Sequence, residues 1–81
     1  MLRVRILLFA AYRDWAGTGE VTLDVAAGAS VGAAIRALRG HGDLWRLPEK
    51  PIVAVNREYA DLDTRLRDGD EVAILPPVAG G

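Results

Sequence analysis

Two consecutive glycines close the sequence, and the carboxylate expected on Gly81 is the group in this chain best suited to chemistry. Glycine has no Cβ, so Gly80 and Gly81 can thread a narrow channel and let another protein's reactive groups approach the carboxylate closely. A carboxylate is a poor electrophile. It must first be activated, most simply as an acyl-adenylate, and that step needs an ATP-using partner. The activated glycine is then open to an amine, which would make the chain a protein modifier, or to sulfide or persulfide, which would leave a terminal thiocarboxylate. With glycine at about 7% of residues, a terminal pair arises by chance in roughly 0.5% of chains, so an accidental end is the weaker reading.

The rest of the composition supplies no competing chemistry. Cysteine is absent, which removes disulfides, thiolate metal sites, thiol nucleophiles and persulfide carriage on the chain itself. The single histidine, His41, lies between Gly40 and Gly42 with no partner for nucleophilic catalysis, and reads as a loop residue. Asp61, Asp63, Asp68, Asp70 and Glu71 lack the ligand spacing of a calcium loop, so they read as solvated turn residues; neither a metal nor a bound cofactor is expected. Formal net charge is -1 with acids and bases interleaved, so neither nucleic acid nor a membrane surface is an expected partner. No run approaches the roughly 20 apolar residues of a spanning helix, and Met1 to Arg5 lacks a signal peptide's apolar segment, which points to the cytoplasm. Lys50 is the one lysine beside nine arginines, leaving few amines for self-conjugation.

Eighty-one residues, 51% of them hydrophobic and 26% charged, suit one domain with a packed core. Leu2 to Phe9 alternates at first, with Leu2, Val4, Ile6 and Leu8 on one face and Arg3 and Arg5 on the other, as in a half-buried strand. Leu7 and Phe9 fall on the arginine face, either covered by the segment Ala10 to Ala16 or forming part of a partner-binding patch. Glu20 to Ala26 reads as a second strand, pairing with the first as a hairpin. Ser30 sits where an N-cap belongs, and Val31, Ala34, Ile35 and Leu38 form the apolar stripe of a helix running to about Arg39, with Gly40 at C′. His41 to Leu47 reads as irregular, with a short helical turn begun by Asp43 as the alternative, and Trp45 is expected to pack back onto the core.

Ile52 to Val55 and Glu58 to Ala60 read as two strands around an Asn56-Arg57 turn, and Glu71 to Leu75 as the last strand, with Val72 and Ile74 inward and Leu75 outward. The first and last strands are richest in β-formers and belong in the middle of the sheet. The expected class is α+β: a β-grasp, ubiquitin-like mixed sheet of about five strands gripping one main helix. Residues 1–75 form that domain. Residues 76–81 form an extended tail, because Pro76 and Pro77 stop the sheet and favour open backbone.

Three stretches carry a family resemblance along nearly the whole chain. They are Leu7-Leu8-Phe9-Ala10-Ala11-Tyr12-Arg13 with Gly17 following, Ala54-Val55-Asn56, and Asp68-Gly69-Asp70-Glu71-Val72-Ala73-Ile74-Leu75-Pro76-Pro77-Val78-Ala79-Gly80-Gly81. The last is the most specific. The chain resembles the molybdopterin synthase small subunit, the MoaD family of ubiquitin-like sulfur carriers. The resemblance implies that Gly81 is adenylated by an enzyme of the ubiquitin-activating kind and converted to a thiocarboxylate with sulfur from a persulfide protein. The large synthase subunit, supplying the catalytic groups, would then receive the tail and pass the sulfur to cyclic pyranopterin monophosphate. Phe9, Tyr59 and Leu75 match the family's docking face, and Pro76, Pro77 and Val78 lead from it to the glycines. Leu75 stands where an aromatic residue is often found and Tyr59 where an aliphatic one is. A carrier for thiamine or tRNA thiolation, or a protein modifier, uses the same tail.

Overall fold

The computed structural model describes residues 1–77. In chain order the elements are β1 (Leu2–Leu8), α1 (Ala10–Ala16), β2 (Glu20–Val25), α2 (Val31–Leu38), a 3-10 turn (Leu44–Arg46), β3 (Ile52–Val55), β4 (Glu58–Ala60) and β5 (Glu71–Leu75). They build one five-stranded sheet in the order β2-β1-β5-β3-β4. β1 runs parallel to β5 and antiparallel to β2, and β3 runs antiparallel to both β4 and β5. This is the expected mixed β-grasp sheet, with the apolar first and last strands inside it.

Alternation decides which face is buried. Val4, Ile6 and Leu8 of β1, Leu23 and Val25 of β2, Val53 of β3, and Val72 and Ile74 of β5 join Val31, Ala34, Ile35 and Leu38 of α2 in a single core. Ser30 caps α2 as its position predicts, its Oγ accepting from the Ala33 amide at 3.2 Å.

Three expectations need correction. Ala10 to Ala16 is a helix, not merely a covering segment. Tyr12, Trp15 and Ala16 recur at helical spacing and turn to the core, while Gly17, left-handed at φ 76°, ends the helix by donating to the Arg13 and Asp14 carbonyls. The glycine at the end of α2 plays no such part. The cap there is Arg39 in a right-handed conformation, and positive φ appears at Gly42 instead. Trp45 does not return to the core and is 66% exposed. In a 3-10 turn positions i and i+3 share a face, so the buried pair is Leu44 and Leu47 and Trp45 is turned outward. Arg39 holds this turn from α2, donating to the carbonyls of Trp45 (3.3 Å), Leu47 (2.6 Å) and Pro48 (2.7 Å).

The β3–β4 turn is tied to the start of β5. Asn56 Nδ2 donates to the buried Asp70 carboxylate at 2.9 Å, and Asn56 Oδ1 accepts from the Glu71 amide at 3.0 Å. The second Asp70 oxygen accepts from the Arg67 amide at 2.7 Å. Both turn residues are left-handed, Asn56 at φ 50° and Arg57 at φ 71°, which is the type I′ geometry that matches strand twist. Asn56 suits that region, whereas a side chain with a Cβ is strained at the second position. Arg57→Gly is therefore expected to stabilise the fold by about 0.5–1 kcal/mol, seen as a higher denaturation midpoint at unchanged slope. An unchanged or lower midpoint would contradict the assigned strain.

Candidate functional site

Cross-strand partners point to the same side of a sheet, so the register alone maps the face opposite the helices. One row runs Leu7, Ala73, Ala54, Tyr59 through the pairs Leu7↔Ala73, Ala73↔Ala54 and Ala54↔Tyr59. It crosses four strands. The next row towards the end of β5 holds Leu75 opposite Ile52, and the register between β1 and β5 carries one further step to set Phe9 beside Leu75. Phe9 keeps the extended backbone of β1 (φ -131°, ψ 156°) before the chain enters α1. All of these side chains are apolar. Phe9 and Ile52 are each 43% exposed and Tyr59 is 82% exposed, a concentration that a fold of this size seldom leaves uncovered without use.

The other half of the same face is charged. Arg3 Nε meets Asp24 Oδ1 at 3.0 Å, and Arg5 reaches Glu71 at 3.0 Å and Glu20 at 3.6 Å. The hydrogen bond from Arg3, then its charge, holds the Asp24 carboxyl below the usual carboxylate range. Arg3 and Arg5 are answered by carboxylates of this chain, so the ladder bounds the apolar rows. The sheet face is thus split, with charge at the amino end of β1 and apolar side chains where β5 ends.

The expected site residues fall as follows. Phe9, Leu75 and Tyr59 lie on one face, with Ile52 and Ala54 bridging the strands between Leu75 and Tyr59. Leu75 and Pro76 are half-buried and Pro77 is exposed, so the last described residues leave the sheet at the apolar end. Val78, Gly80 and Gly81 lie outside the described residues. Ile52, Ala54 and Ala73 were not anticipated as members of this face. Their alternation with Val53, Val72 and Ile74 is visible in the sequence, yet which face it serves depends on the register. Tyr12 and Trp15, ring centroids 5.3 Å apart, belong to the helical side, where Arg46 lies 4.3 Å over the Trp15 ring. Among the described residues no group of acidic, histidine or cysteine side chains could hold a metal ion, and no helix is long and apolar enough to cross a membrane.

A five-stranded mixed sheet in this order, packed on the helices through one face and apolar where β5 ends on the other, is the β-grasp architecture of ubiquitin-like proteins. The chain belongs to the ThiS family, whose model matches residues 6–81. It is 38% identical over 87 residues to the molybdopterin synthase sulfur carrier subunit of Escherichia coli (strain K12), covering 96% of this chain and 99% of that one. It is 37% identical over 83 residues to the protein of the same description from Mycobacterium tuberculosis (strain ATCC 25618 / H37Rv), with both chains fully covered. Among solved structures it is similar to the small archaeal modifier protein 1 of Haloferax volcanii, with a TM-score of 0.84, 36% identity, and coverage of 96% of this chain and 100% of that one.

Proposed function

We propose that this chain is the sulfur carrier subunit of a molybdopterin synthase. The observation that carries the proposal is the apolar face formed by Leu7, Phe9, Ile52, Leu75 and Tyr59, which ends where Pro76 and Pro77 lead into the glycines. A protein whose terminus is processed inside other proteins needs a docking surface next to that terminus, so that binding energy is spent on placing the carboxylate. The sequence relatives described as molybdopterin synthase sulfur carrier subunits support the same role.

In this reading residues 1–75 dock and residues 76–81 deliver. An adenylating enzyme of the ubiquitin-activating kind joins the Gly81 carboxylate to AMP, with pyrophosphate leaving. The terminal sulfur of a protein persulfide attacks the acyl carbon and displaces AMP, leaving an acyl disulfide. A thiol then attacks the donor-side sulfur, so that the S–S bond breaks, the Gly81 thiocarboxylate is released and the two thiols are left as a disulfide. The tail then enters the large synthase subunit, whose acid and base groups transfer the sulfur to cyclic pyranopterin monophosphate. The two partners use one face in turn, so each association must be reversible. The test is intact mass after incubation with the activating enzyme, ATP and a sulfur donor. The expected result is a gain equal to one oxygen-to-sulfur exchange, located at Gly81, and an unchanged mass under competent activation would refute it.

A second reading has its own support in the 0.84 TM-score to a small archaeal modifier protein. There the activated glycine is attacked by a lysine of another protein. The same incubation, with cell extract added, would then yield amide adducts ending in Gly80-Gly81.

A further inference from the structure

We infer that Asn56 and Asp70 are positioning residues for docking: together they hold β4 so that Tyr59 stands on the apolar face where a partner meets it. The inference rests on the docking role proposed above for that face. It starts from two features that the proposed function leaves unused, the Asn56 that ends the stretch Ala54-Val55-Asn56 and the carboxylate of Asp70, which is only 9% exposed. Among the described residues that carboxylate has no ion-pair partner. Burying a charge is unfavourable unless it is hydrogen-bonded, and apolar residues of similar volume often serve stability as well. A charge kept in such a place calls for a use other than stability.

β4 needs support that packing does not give it. The strand is three residues long and lies at the edge of the sheet, and among the described residues β3 is the one element it packs against at length. A two-stranded hairpin is marginal by itself. Beside β4 a cleft of about 430 Å³ separates Glu58, Tyr59 and Ala60 from Thr64, Arg65 and Arg67, so little packing steadies the strand from that side. The Tyr59 side chain, 82% exposed, makes too little contact to be fixed by its own surroundings. Its position is set by the backbone of the hairpin.

The turn supplies the missing support. Asn56 donates its backbone N–H to the Glu71 carbonyl at 2.8 Å, its Oδ1 accepts from the Glu71 amide at 3.0 Å, and its Nδ2 donates to Asp70 Oδ1 at 2.9 Å. Asp70 is held in turn by the Arg67 amide, which donates to its other oxygen at 2.7 Å, and by the Arg5 amide, which donates to its carbonyl at 2.9 Å. The hairpin is thus fastened to β5 and, through Asp70, to β1. The Asn56 amide meets an acceptor with its NH2 and a donor with its oxygen, so a flipped side chain would lose both bonds and one orientation is selected. Tyr59 follows three residues after Asn56. A turn released from β5 lets β4 swing about β3 and carries Tyr59 off the face.

The test is a double-mutant cycle read as affinity for the large synthase subunit, with each variant shown by circular dichroism to be fully folded at the assay temperature. Asn56→Gly keeps the left-handed turn and removes the side-chain bonds. It is expected to weaken binding about tenfold in the parent chain and by less than about twofold in a Tyr59→Ala background. A purely structural role would lower the unfolding midpoint and leave the affinity of the folded protein unchanged. Exchanging the two residues is the rescue. In the double variant Asn56→Asp with Asp70→Asn, the new carboxylate accepts from the Glu71 amide and from the new NH2 group, and the new amide oxygen accepts from the Arg67 amide, so all three side-chain bonds return. Affinity should recover to within about threefold of the parent, whereas Asn56→Asp alone sets two carboxylates against each other and should stay about tenfold weaker. Should Asn56→Gly not fold, Asp70→Asn takes its place in the cycle. Parent affinity in Asn56→Gly, equal weakening with and without Tyr59, or no recovery in the exchanged pair would each overturn the inference. Parent affinity in Tyr59→Ala, with Phe9→Asp weakened, overturns this inference alone. Parent affinity in both overturns the docking reading as well.

Discussion

Deleting Gly81 is expected to lower sulfur transfer on the order of a hundredfold or more while leaving thermal unfolding unchanged. The deletion moves the terminal carboxylate back by one residue, about 3.4 Å, and a misplacement of about 1 Å at a reacting centre already costs around a hundredfold. In the proposed reading the partner binds the apolar face and presents its reactive groups at a set distance from it, so a shorter tail cannot compensate without losing contacts. Stability should not follow, because among the described residues the core runs from Val4 to Ile74. The measurement is the initial rate of thiocarboxylate formation with the activating enzyme, paired with a melting curve. A deletion variant that is sulfurated at the parent rate would remove Gly81 from the chemistry.

Phe9→Asp is expected to separate docking from folding. Phe9 occupies the N-cap of α1 but its side chain makes no capping hydrogen bond, and aspartate is among the preferred residues there. Loss of the half-buried ring costs about 1 kcal/mol and the new cap returns a similar amount, so stability stays within about 1 kcal/mol of the parent. The apolar face loses a large side chain and gains a charge beside Leu75. If Phe9 is an anchor of the interface, the penalty is about 2 kcal/mol or more, a weakening of roughly thirtyfold. Titration against the large synthase subunit measures it. Trp45→Asp is the matched control: Trp45 is more exposed than Phe9 but sits on the 3-10 turn that packs with α1, away from the apolar rows. Equal affinity of Phe9→Asp and the parent would place the interface elsewhere.

Much of the architecture was legible before any coordinates. Val4, Ile6 and Leu8 alternate with Arg3 and Arg5, and only a half-buried strand satisfies that pattern. The Ser30 cap and the stripe through Leu38 are local signals, and α2 obeys them within a residue. The α1 helix was missed although its stop signal, Gly17, was in view, because seven residues are too few for periodicity to stand out from a loop. Trp45 was misplaced for a different reason. Bulk apolar character favours the interior, but the 3-10 geometry and the Arg39 clamp gave the inward positions to Leu44 and Leu47.

Sequence by itself determined the chemistry available to this protein: no thiol, one isolated histidine, one lysine, and a terminal glycine pair behind two prolines. These are facts of residue type, and no fold can add a functional group the chain lacks. Tertiary structure decided which residues share a surface. Ile52, Tyr59 and Leu75 come from three separate strands and Phe9 from the residue that follows a fourth, and each could have faced either way, since a one-residue slip in register inverts a strand. Pairing between distant strands depends on the whole sheet closing over one core, and no local window of the sequence contains it.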